Sequence, residues 1–596
     1  MLPHKEIELR LQQAARAVLP AADVATVLVR PCPDPKFGDY QSAAIMALAK
    51  AHKLNPRQLA TEVLARLDVS PWCEKVEIAG AGFLNFRLRP DVLGAALESA
   101  TRGEHLFFAK TAQPRTIVVD FSSPNVAKPM HVGHIRSTIL GASLTRLLRS
   151  LGHCVITDNH IGDWGTQFGM LLVGWKTMLD RAALERDAIG ELERIYRAIN
   201  AQCDPARPTY NAVTHETARA ELVKLQQGDP ENLELWREMI RLSQIQFDHI
   251  YGRLGVKFDQ ALGESFYNPR LPAIVAELMT QGIARESEAA KCVFSDGTLP
   301  PKDDPFLIQR DGEWQANPQL IQKRDGGYNY ATTDLATIAH RLATWQPSEI
   351  VYVTDGRQQL HFQQLFATFR RWHPELAGRV KLAHVWFGSI LGDDGKPLKT
   401  RTGENVKLAD LLDEAEARAF QVVSEKNSAL PEAERRAIAR VIGLGAVKYA
   451  DLLPNRQSDY VFNWDKILAL NGNTAPYLQY AFARIQSIFR KGEIPKSGVG
   501  EPSVAIRLAA PEEIALARQL LNFGLALEAA AEEYRPNFIC TYLFELASHF
   551  SRFFENCPVL KAEAADRARR LVLCELTARV LAQGLDILGI ETVPNM

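Results

Sequence analysis

Residues 116–141 read Thr116-Ile-Val-Val-Asp-Phe-Ser-Ser-Pro-Asn-Val-Ala-Lys-Pro-Met-His-Val-Gly-His-Ile-Arg-Ser-Thr-Ile-Leu-Gly141. The β-branched run Thr116 to Val119 predicts a short buried strand, and the polar residues after it predict a loop. A helix is expected from about Gly133 to Leu151, with Gly152 just beyond its end. A strand delivering a loop onto a helix N-terminus makes an anion site, because the first-turn N–H groups are unpaired and the helix dipole is positive there. Gly133 lacks a Cβ, so a flat base or ribose can approach the backbone closely. His131 and His134 stand three apart on one face, where both imidazoles can donate hydrogen bonds to oxygens on a phosphorus undergoing displacement. The competing reading is a zinc pair. Helical ligand pairs more often stand at i, i+4 with a third ligand elsewhere, and no acid follows as in His-Glu-x-x-His.

Outward from this stretch, strand, loop and helix repeat to about residue 410, which implies a mostly parallel, Rossmann-like sheet wrapped by helices. A highly charged helical insertion interrupts the rhythm around 176–300. Residues 1–110 read as a small α/β add-on: an amphipathic opening with Ile7, Leu11 and Ala14, a helical stretch over 42–67, and a strand over 82–88. Past about Val441 strand signals nearly vanish. Helices are expected over 512–533, 539–556 and 562–588, the last stopped by Gly589. The expected organisation is a multidomain α/β chain: add-on 1–110, Rossmann-like domain 111–460, and an all-α bundle 461–596.

The whole chain has 596 residues, with 69 Lys+Arg against 70 Asp+Glu and a formal charge of −1. That balance excludes a bulk polycation but not a local basic patch. Residues 1–110 hold 14 basic against 12 acidic side chains, and 460–596 hold 14 against 15, so any grip on RNA must come from sorting charge between faces. The opening residues lack the apolar core of a signal peptide, no stretch approaches the roughly 18 apolar residues of a spanning helix, and a cytoplasmic protein is expected. Eight cysteines without a Cys-x-x-Cys give neither a zinc ribbon nor a dithiol motif, and no bound metal is expected.

Ser123-Pro-Asn-Val-Ala-Lys-Pro-Met-His-Val-Gly-His134 resembles the extended HIGH motif of class I aminoacyl-tRNA synthetases, in the form found in bacterial-type arginyl-tRNA synthetases. Four further stretches are similar to the same family and stand in its order: Asn159-His-Ile-Gly-Asp-Trp-Gly-Thr-Gln-Phe-Gly169, Tyr328-Asn-Tyr-Ala-Thr-Thr-Asp-Leu335, Tyr352-Val-Thr-Asp-Gly-Arg-Gln-Gln-Leu-His361 and Val593-Pro-Asn-Met596. The resemblance implies ATP-dependent joining of L-arginine to tRNA(Arg) through an arginyl-adenylate, with Mg²⁺ arriving on the ATP. It assigns the segment Pro124, Asn125, Val126, Ala127, Lys128, Pro129, Met130, His131, Val132, Gly133 and His134 to the signature. Ser123, Asn125, His134, Tyr330, Asp334 and Gln358 fall to arginine, with Asp120 and Glu264 close by.

A carboxylate paired with a phenol suits a guanidinium better than an ammonium, because planar bidentate geometry distinguishes a fork from a point charge. Each residue also has a plainer reading: Asp334 answering a helix dipole, Glu264 as a surface acid, Tyr330 as a core aromatic. ATP is expected on Lys128, His131, Gly133, His134, Gln358 and His361. The family's second signature, a lysine-rich mobile loop, is altered here: in Gly392-Asp-Asp-Gly-Lys-Pro-Leu-Lys-Thr-Arg-Thr-Gly403 its second lysine is replaced by Thr400. Lys399 and Arg401 remain to meet pyrophosphate, and Lys128 is expected to supply the missing charge from the other side. For tRNA the resemblance implies Asn85 and Phe86 at the elbow, and Tyr477 and Met596 near the anticodon. The expected protein is a monomer with no DNA or membrane partner, whose activation of arginine requires tRNA. A non-catalytic arginine- or RNA-binding paralogue is the alternative.

Overall fold

Thr116–Phe121 is one of the two inner strands of a four-stranded, all-parallel sheet whose order is 381–384, 349–353, 116–121, 154–158. Its residues 117–120 are buried, as are all five of Glu349–Val353, so the continuous apolar runs follow from helices covering both faces. The chain runs outward from 116–121 to 154–158 through one helix, Val132–Ser150. It later runs outward the other way, from 349–353 to 381–384, through Gln359–Trp372. The strand order therefore reverses between 116–121 and 349–353, and a crevice opens beyond their carboxyl ends. The Rossmann-like expectation is met there.

The computed structural model describes residues 2–399, 406–494 and 506–596. They form two compact units: residues 111–422 with 446–467, and residues 1–110 with 423–445 and 468–596. In the first unit the insertion is helical through Ala188–Cys203, Ala212–Gln226 and Pro230–Leu254. Its far end is not. Ala284–Ser287, Ala290–Val293 and Gln319–Gln322 make a three-stranded antiparallel sheet, beside a hairpin of Leu307–Arg310 and Glu313–Ala316. These strands are only four residues each, too short to show an alternating pattern.

In the second unit the N-terminal strands are wholly antiparallel, in the order 30–31, 40–42, 83–88, 73–79. The C-terminal part is helical, as expected, with Asn537–Asn556 and Ala564–Ile587 close to the expected bounds and Gly589 at φ 73° past the end. The expected helix over 512–533 breaks at Asn522 into Pro511–Leu521 and Phe523–Glu533. A Cβ at Gly524 would meet the Phe107 carbonyl oxygen at 2.5 Å, so another part of the chain sits against the break. Contrary to the expectation from composition, the stretch Pro511–Glu533 has the length and apolarity to cross a membrane. Half of its most apolar window is buried, and Leu516, Leu520 and Leu527 are fully buried, which is the pattern of core helices.

Candidate active site

The loop leaving Thr116–Phe121 is held in an unusual backbone. Ser122, Ser123 and Ala127 all have positive φ, at 75°, 49° and 61°, a region that costs non-glycine residues free energy and marks over-determined sites. Neighbouring segments supply the compensation. Ser122 N–H donates to Ser137 Oγ at 2.8 Å, Ser123 N–H to Asn159 Oδ1 at 3.0 Å, and Ala127 N–H to Ser243 Oγ at 2.9 Å. Val126 N–H donates to the Gly162 carbonyl and Gly162 N–H to the Pro124 carbonyl, both at 3.1 Å. A Cβ on Gly162 would collide with Asn125 Oδ1, which explains the glycine there.

The loop ends in a cap made of histidines. His131 is the N-cap of Val132–Ser150; its Nδ1 accepts from Gly133 N–H at 3.0 Å, while His131 N–H donates to His134 Nδ1 at 3.1 Å. The rings lie 4.1 Å apart. Burial, reinforced by the Arg357 and Lys128 charges, lowers the His131 pKa, and burial with the neighbouring His131 takes His134 down to about 3. Both imidazoles are thus neutral at pH 7. With each Nδ1 accepting, each proton sits on Nε2, leaving two donors in a fixed tautomer. Gly133 is exposed, and a Cβ there would stand 2.8 Å from the His131 ring, so the glycine serves the cap itself.

A backbone ladder carries the crevice onward. Asn159 N–H donates to the Gln260 carbonyl at 3.0 Å and Glu264 N–H to the Ile161 carbonyl at 3.1 Å, setting Glu264 beside His160, Asp163 and Asp334. Burial, with the Asp334 and Asp163 charges, pushes the Glu264 carboxyl up to about 7, against an opposing pull from His160. Tyr330 and Asp334 stand on the first turns of Tyr330–Trp345, as expected, with Tyr330 58% exposed. His361, expected on ATP, is committed elsewhere: its Nε2 lies 2.6 Å from Asp334 Oδ2, and its ring meets Tyr330 edge-on at 4.6 Å. It belongs to the acidic cluster. Gln358 is exposed at the start of Gln359–Trp372.

Asp120 does not face the crevice as a free charge. It is buried and bonded to Arg341 Nη2 at 2.5 Å, with Arg341 also reaching Asp158 at 2.8 Å. Its link to the loop is Ser123, whose hydroxyl donates to Asp120 Oδ1 at 3.1 Å. The expectation of Asp120 near arginine is therefore revised: it is already paired with an interior guanidinium that it shares with Asp158, and its reach to the pocket runs through Ser123.

Lys128 is half-buried, with its ammonium 4.8 Å from the centre of the Tyr196 ring in the insertion. Arg357 was not singled out in the sequence; it is paired with Asp355 at 2.8 Å, and its charge acts on His131. The lysine-bearing loop begins as a hairpin in which Gly392 N–H donates to the Lys396 carbonyl at 2.8 Å and Leu398 N–H to the Ile390 carbonyl at 3.0 Å. Lys399 is exposed; Arg401 lies outside the described residues. Just past them, Val132 N–H donates to the Val406 carbonyl and Leu408 N–H to the Met130 carbonyl, each at 2.9 Å, which ties the far end of the loop to the histidine cap.

In the other unit the elbow expectation is corrected. Phe86 is fully buried and Asn85 is 6% exposed, and Phe83–Leu88 is an inner strand paired on both edges. Phe86 therefore offers RNA no surface. Tyr477 is half-buried against Phe544 at 5.8 Å between ring centres. Met596 lines a cavity of about 590 Å³ with Tyr480, Arg484, Phe554 and Lys561. Tyr480 is 44% exposed there, and Arg484 lies 4.3 Å from the Phe554 ring centre.

Comparison with known proteins accounts for nearly the whole chain. Residues 97–464 match the family described as tRNA synthetases class I (R), catalytic domain; residues 5–88 match the arginyl tRNA synthetase N terminal domain, and residues 478–596 the DALR anticodon binding domain. The chain is 44% identical over 100% of both chains to a Chromobacterium violaceum protein named arginine–tRNA ligase, and 46% identical to one from Citrobacter koseri over 94% of each. Among solved structures it is similar to Thermus thermophilus arginyl-tRNA synthetase, with a TM-score of 0.83, 25% identity and 100% of both chains covered. The Plasmodium falciparum arginyl-tRNA synthetase gives 0.80 and 26%, covering 100% of this chain and 99% of that one. With a histidine-capped helix at the switch point of a parallel sheet and full-length kinship of this kind, the chain belongs to the arginyl-tRNA synthetase family of class I aminoacyl-tRNA synthetases.

Proposed function

We propose that the chain joins L-arginine to tRNA(Arg) in two steps, through an arginyl-adenylate. The observation that carries this reading is the acidic cluster of Glu264, Asp334 and Tyr330, laddered through Ile161 and Gly162 to the loop that ends in the histidine cap. An arginine held by its guanidinium at the cluster can place its carboxylate toward the helix N-terminus, where Ser123, Asn125 and His134 surround the amino-acid head group.

In the first step that carboxylate attacks the α-phosphorus of ATP and pyrophosphate leaves. The Nε2–H groups of His131 and His134 donate to α-phosphate oxygens as charge builds, without reorganising, because their Nδ1 atoms are already engaged by backbone N–H groups. Gly133 lies against the nucleoside and Gln358 lines the pocket. Lys128, Lys399 and Arg401 meet the departing pyrophosphate, with Lys128 leaving the Tyr196 ring to do so. Mg²⁺ enters on the triphosphate and supplies charge neutralisation there. Positioning and electrostatics, not a covalent enzyme intermediate, carry the rate. In the second step the terminal ribose hydroxyl of tRNA attacks the activated carbonyl, the mixed-anhydride bond breaks, and AMP leaves as the arginyl ester forms.

For RNA, residues 1–110 serve as the elbow-binding add-on, 111–460 as the catalytic domain and 461–596 as the anticodon reader. The cavity bounded by Tyr480, Phe554 and Met596, with Tyr477 on the same helix, suits an unpaired base by its open aromatic ring and adjacent cations. The reading extends to a cytoplasmic monomer that uses neither DNA nor a membrane, and to arginine activation that requires bound tRNA.

The test is ATP–pyrophosphate exchange with arginine, with and without tRNA(Arg), followed by charging across the amino acids. Exchange with arginine only when tRNA is present, and arginine as the sole amino acid charged, are expected. Charging by another amino acid overturns the specificity, and no exchange under either condition points to an arginine- or RNA-binding paralogue.

A further inference from the structure

We propose that His361 is a positioning residue of the guanidinium pocket: by donating from Nε2 to Asp334 and packing edge-on against Tyr330, it fixes the acid and the phenol that select arginine. The proposal rests on the arginine reading of Asp334. His361 is held from behind. Its ring lies 5.0 Å from Phe362, Phe362 stacks on His384 at 4.3 Å, and His384 Nε2 lies 2.8 Å from Thr354 Oγ1, one residue past the inner strand Glu349–Val353. The imidazole's place is thus set by the sheet. Its Nε2 meets Asp334 Oδ2 at 2.6 Å, with the two side chains 11% and 18% exposed.

The consequence follows from the torsions of aspartate. Its terminal carboxylate torsion is broad, so an unpinned carboxylate on a first helical turn swings freely. One hydrogen bond to Oδ2 leaves the remaining lone pairs in one plane, where a guanidinium can meet them with parallel N–H groups. The T-shaped contact does the same for the neighbouring phenol ring, four residues earlier on the helix. A swinging carboxylate attracts any cation; a fixed one favours a planar fork. Touching the pocket acid rather than a phosphate, His361 controls arginine and leaves ATP alone.

The experiment is steady-state arginylation of tRNA(Arg) by His361→Leu, His361→Gln and Asp334→Asn, measuring the KM for arginine and for ATP separately, with Tm for each variant. His361→Leu is expected to raise the arginine KM about tenfold, equivalent to about 1.4 kcal/mol, with ATP KM within about twofold of the parent. His361→Gln, whose amide N–H reaches as far as Nε2, recovers arginine KM to within about threefold. A raised ATP KM with unchanged arginine KM overturns the proposal, as does a His361→Leu enzyme equal to the parent. If Asp334→Asn leaves the arginine KM unchanged, the pocket reading itself falls; if it raises that KM while His361→Leu does not, only the role of His361 falls. Should His361→Leu fail to fold, His361→Asn, whose amide stops short of Oδ2, is compared with His361→Gln, and equal arginine KM values overturn the proposal.

Discussion

Glu264 is the side chain through which pH would act on the proposed arginine pocket. Its carboxyl is raised to about 7 by burial first and by Asp334 and Asp163 second, so it is largely protonated at pH 6 and largely ionised at pH 8. A guanidinium prefers the ionised form. Arginine KM should therefore fall as pH rises from 6 to 8, and Glu264→Gln should flatten that profile while raising KM at pH 8 about tenfold, measured by arginylation at constant ionic strength; a profile unchanged by the substitution sinks the idea. The sign for stability is opposite. A carboxyl raised above its ordinary 4.5 makes the ligand-free fold lose stability as pH climbs from 4.5 through 7, so Glu264→Gln should raise Tm more at pH 8 than at pH 5. At this scale the sequence carried types and missed partners. The places of His131, His134 and Asp334 at helix starts were legible because a strand, a loop and a helix start can be read locally. That Arg341 pairs with Asp120, or that His361 meets Asp334, depends on side chains brought together by the sheet, and no spacing rule connects them. Phe86 misled for the same reason: an aromatic on a strand looks the same in sequence whether the strand is an edge or, as here, an inner one.

Helix Val132–Ser150 shows why an element that was easy to find still hides its constraint. Its start and end were marked by the His-x-Gly-His cap and by Gly152, which takes φ 92° just past the last turn. Its closeness to the sheet was not marked. A Cβ at Gly141 would land on the side chain of Phe121, and that ring is itself backed by Phe258 at 4.5 Å between centres. Helix and strand therefore touch backbone to ring, which sets the distance from the cap to the strained Ser122–Ser123 turn. Gly141→Ala should cost about 1–3 kcal/mol by overpacking, read as a lowered unfolding transition, and should slow arginylation by shifting the cap. Adding Phe121→Leu should return most of the stability. If Gly141→Ala unfolds like the parent, the contact does not set the spacing. The short strands of 284–322 and the break at Asn522 escaped for a related reason: four-residue strands carry little periodicity, and the break coincides with the close approach of Phe107 to Gly524.

On the scale of the molecule, the near-zero net charge says little, because charges are used in pairs at particular depths. Residues 1–110 and 468–596 fall in one compact unit although they lie at opposite ends of the chain. Among the described residues, Arg30–Glu532, Lys5–Glu528 and Arg518–Asp39 are ion pairs that join them, and they differ in worth. Arg30–Glu532, at 3.5 Å with side chains 35% and 67% exposed, lies in water and contributes about 0–1 kcal/mol. Lys5–Glu528, at 2.7 Å, is about one-third exposed on both sides. Arg518–Asp39 is different: Asp39 is 4% exposed, meets Arg518 at 2.5 Å and also accepts from Leu88 N–H at 2.7 Å. Burial raises the Asp39 carboxyl despite the opposing pull of Arg518, so removing the arginine leaves a buried acid with too little compensation. Arg518→Ala should cost about 2–3 kcal/mol, less than the 3–5 of a fully enclosed pair because the arginine is 30% exposed. Glu532→Ala should cost next to nothing. Since Asp39 and Arg518 come from the two ends of the chain, the loss should appear as a lower transition for this unit, with arginine and ATP KM unchanged because the proposed pocket draws on residues of the other unit. Lowering pH toward 4 should narrow the gap between parent and Arg518→Ala, because a protonated Asp39 no longer needs the cation. A gap that stays constant from pH 8 to pH 4 would mean that Arg518 acts by packing alone, through the stem that lines the Asp39 cavity beside Leu93 and Leu521.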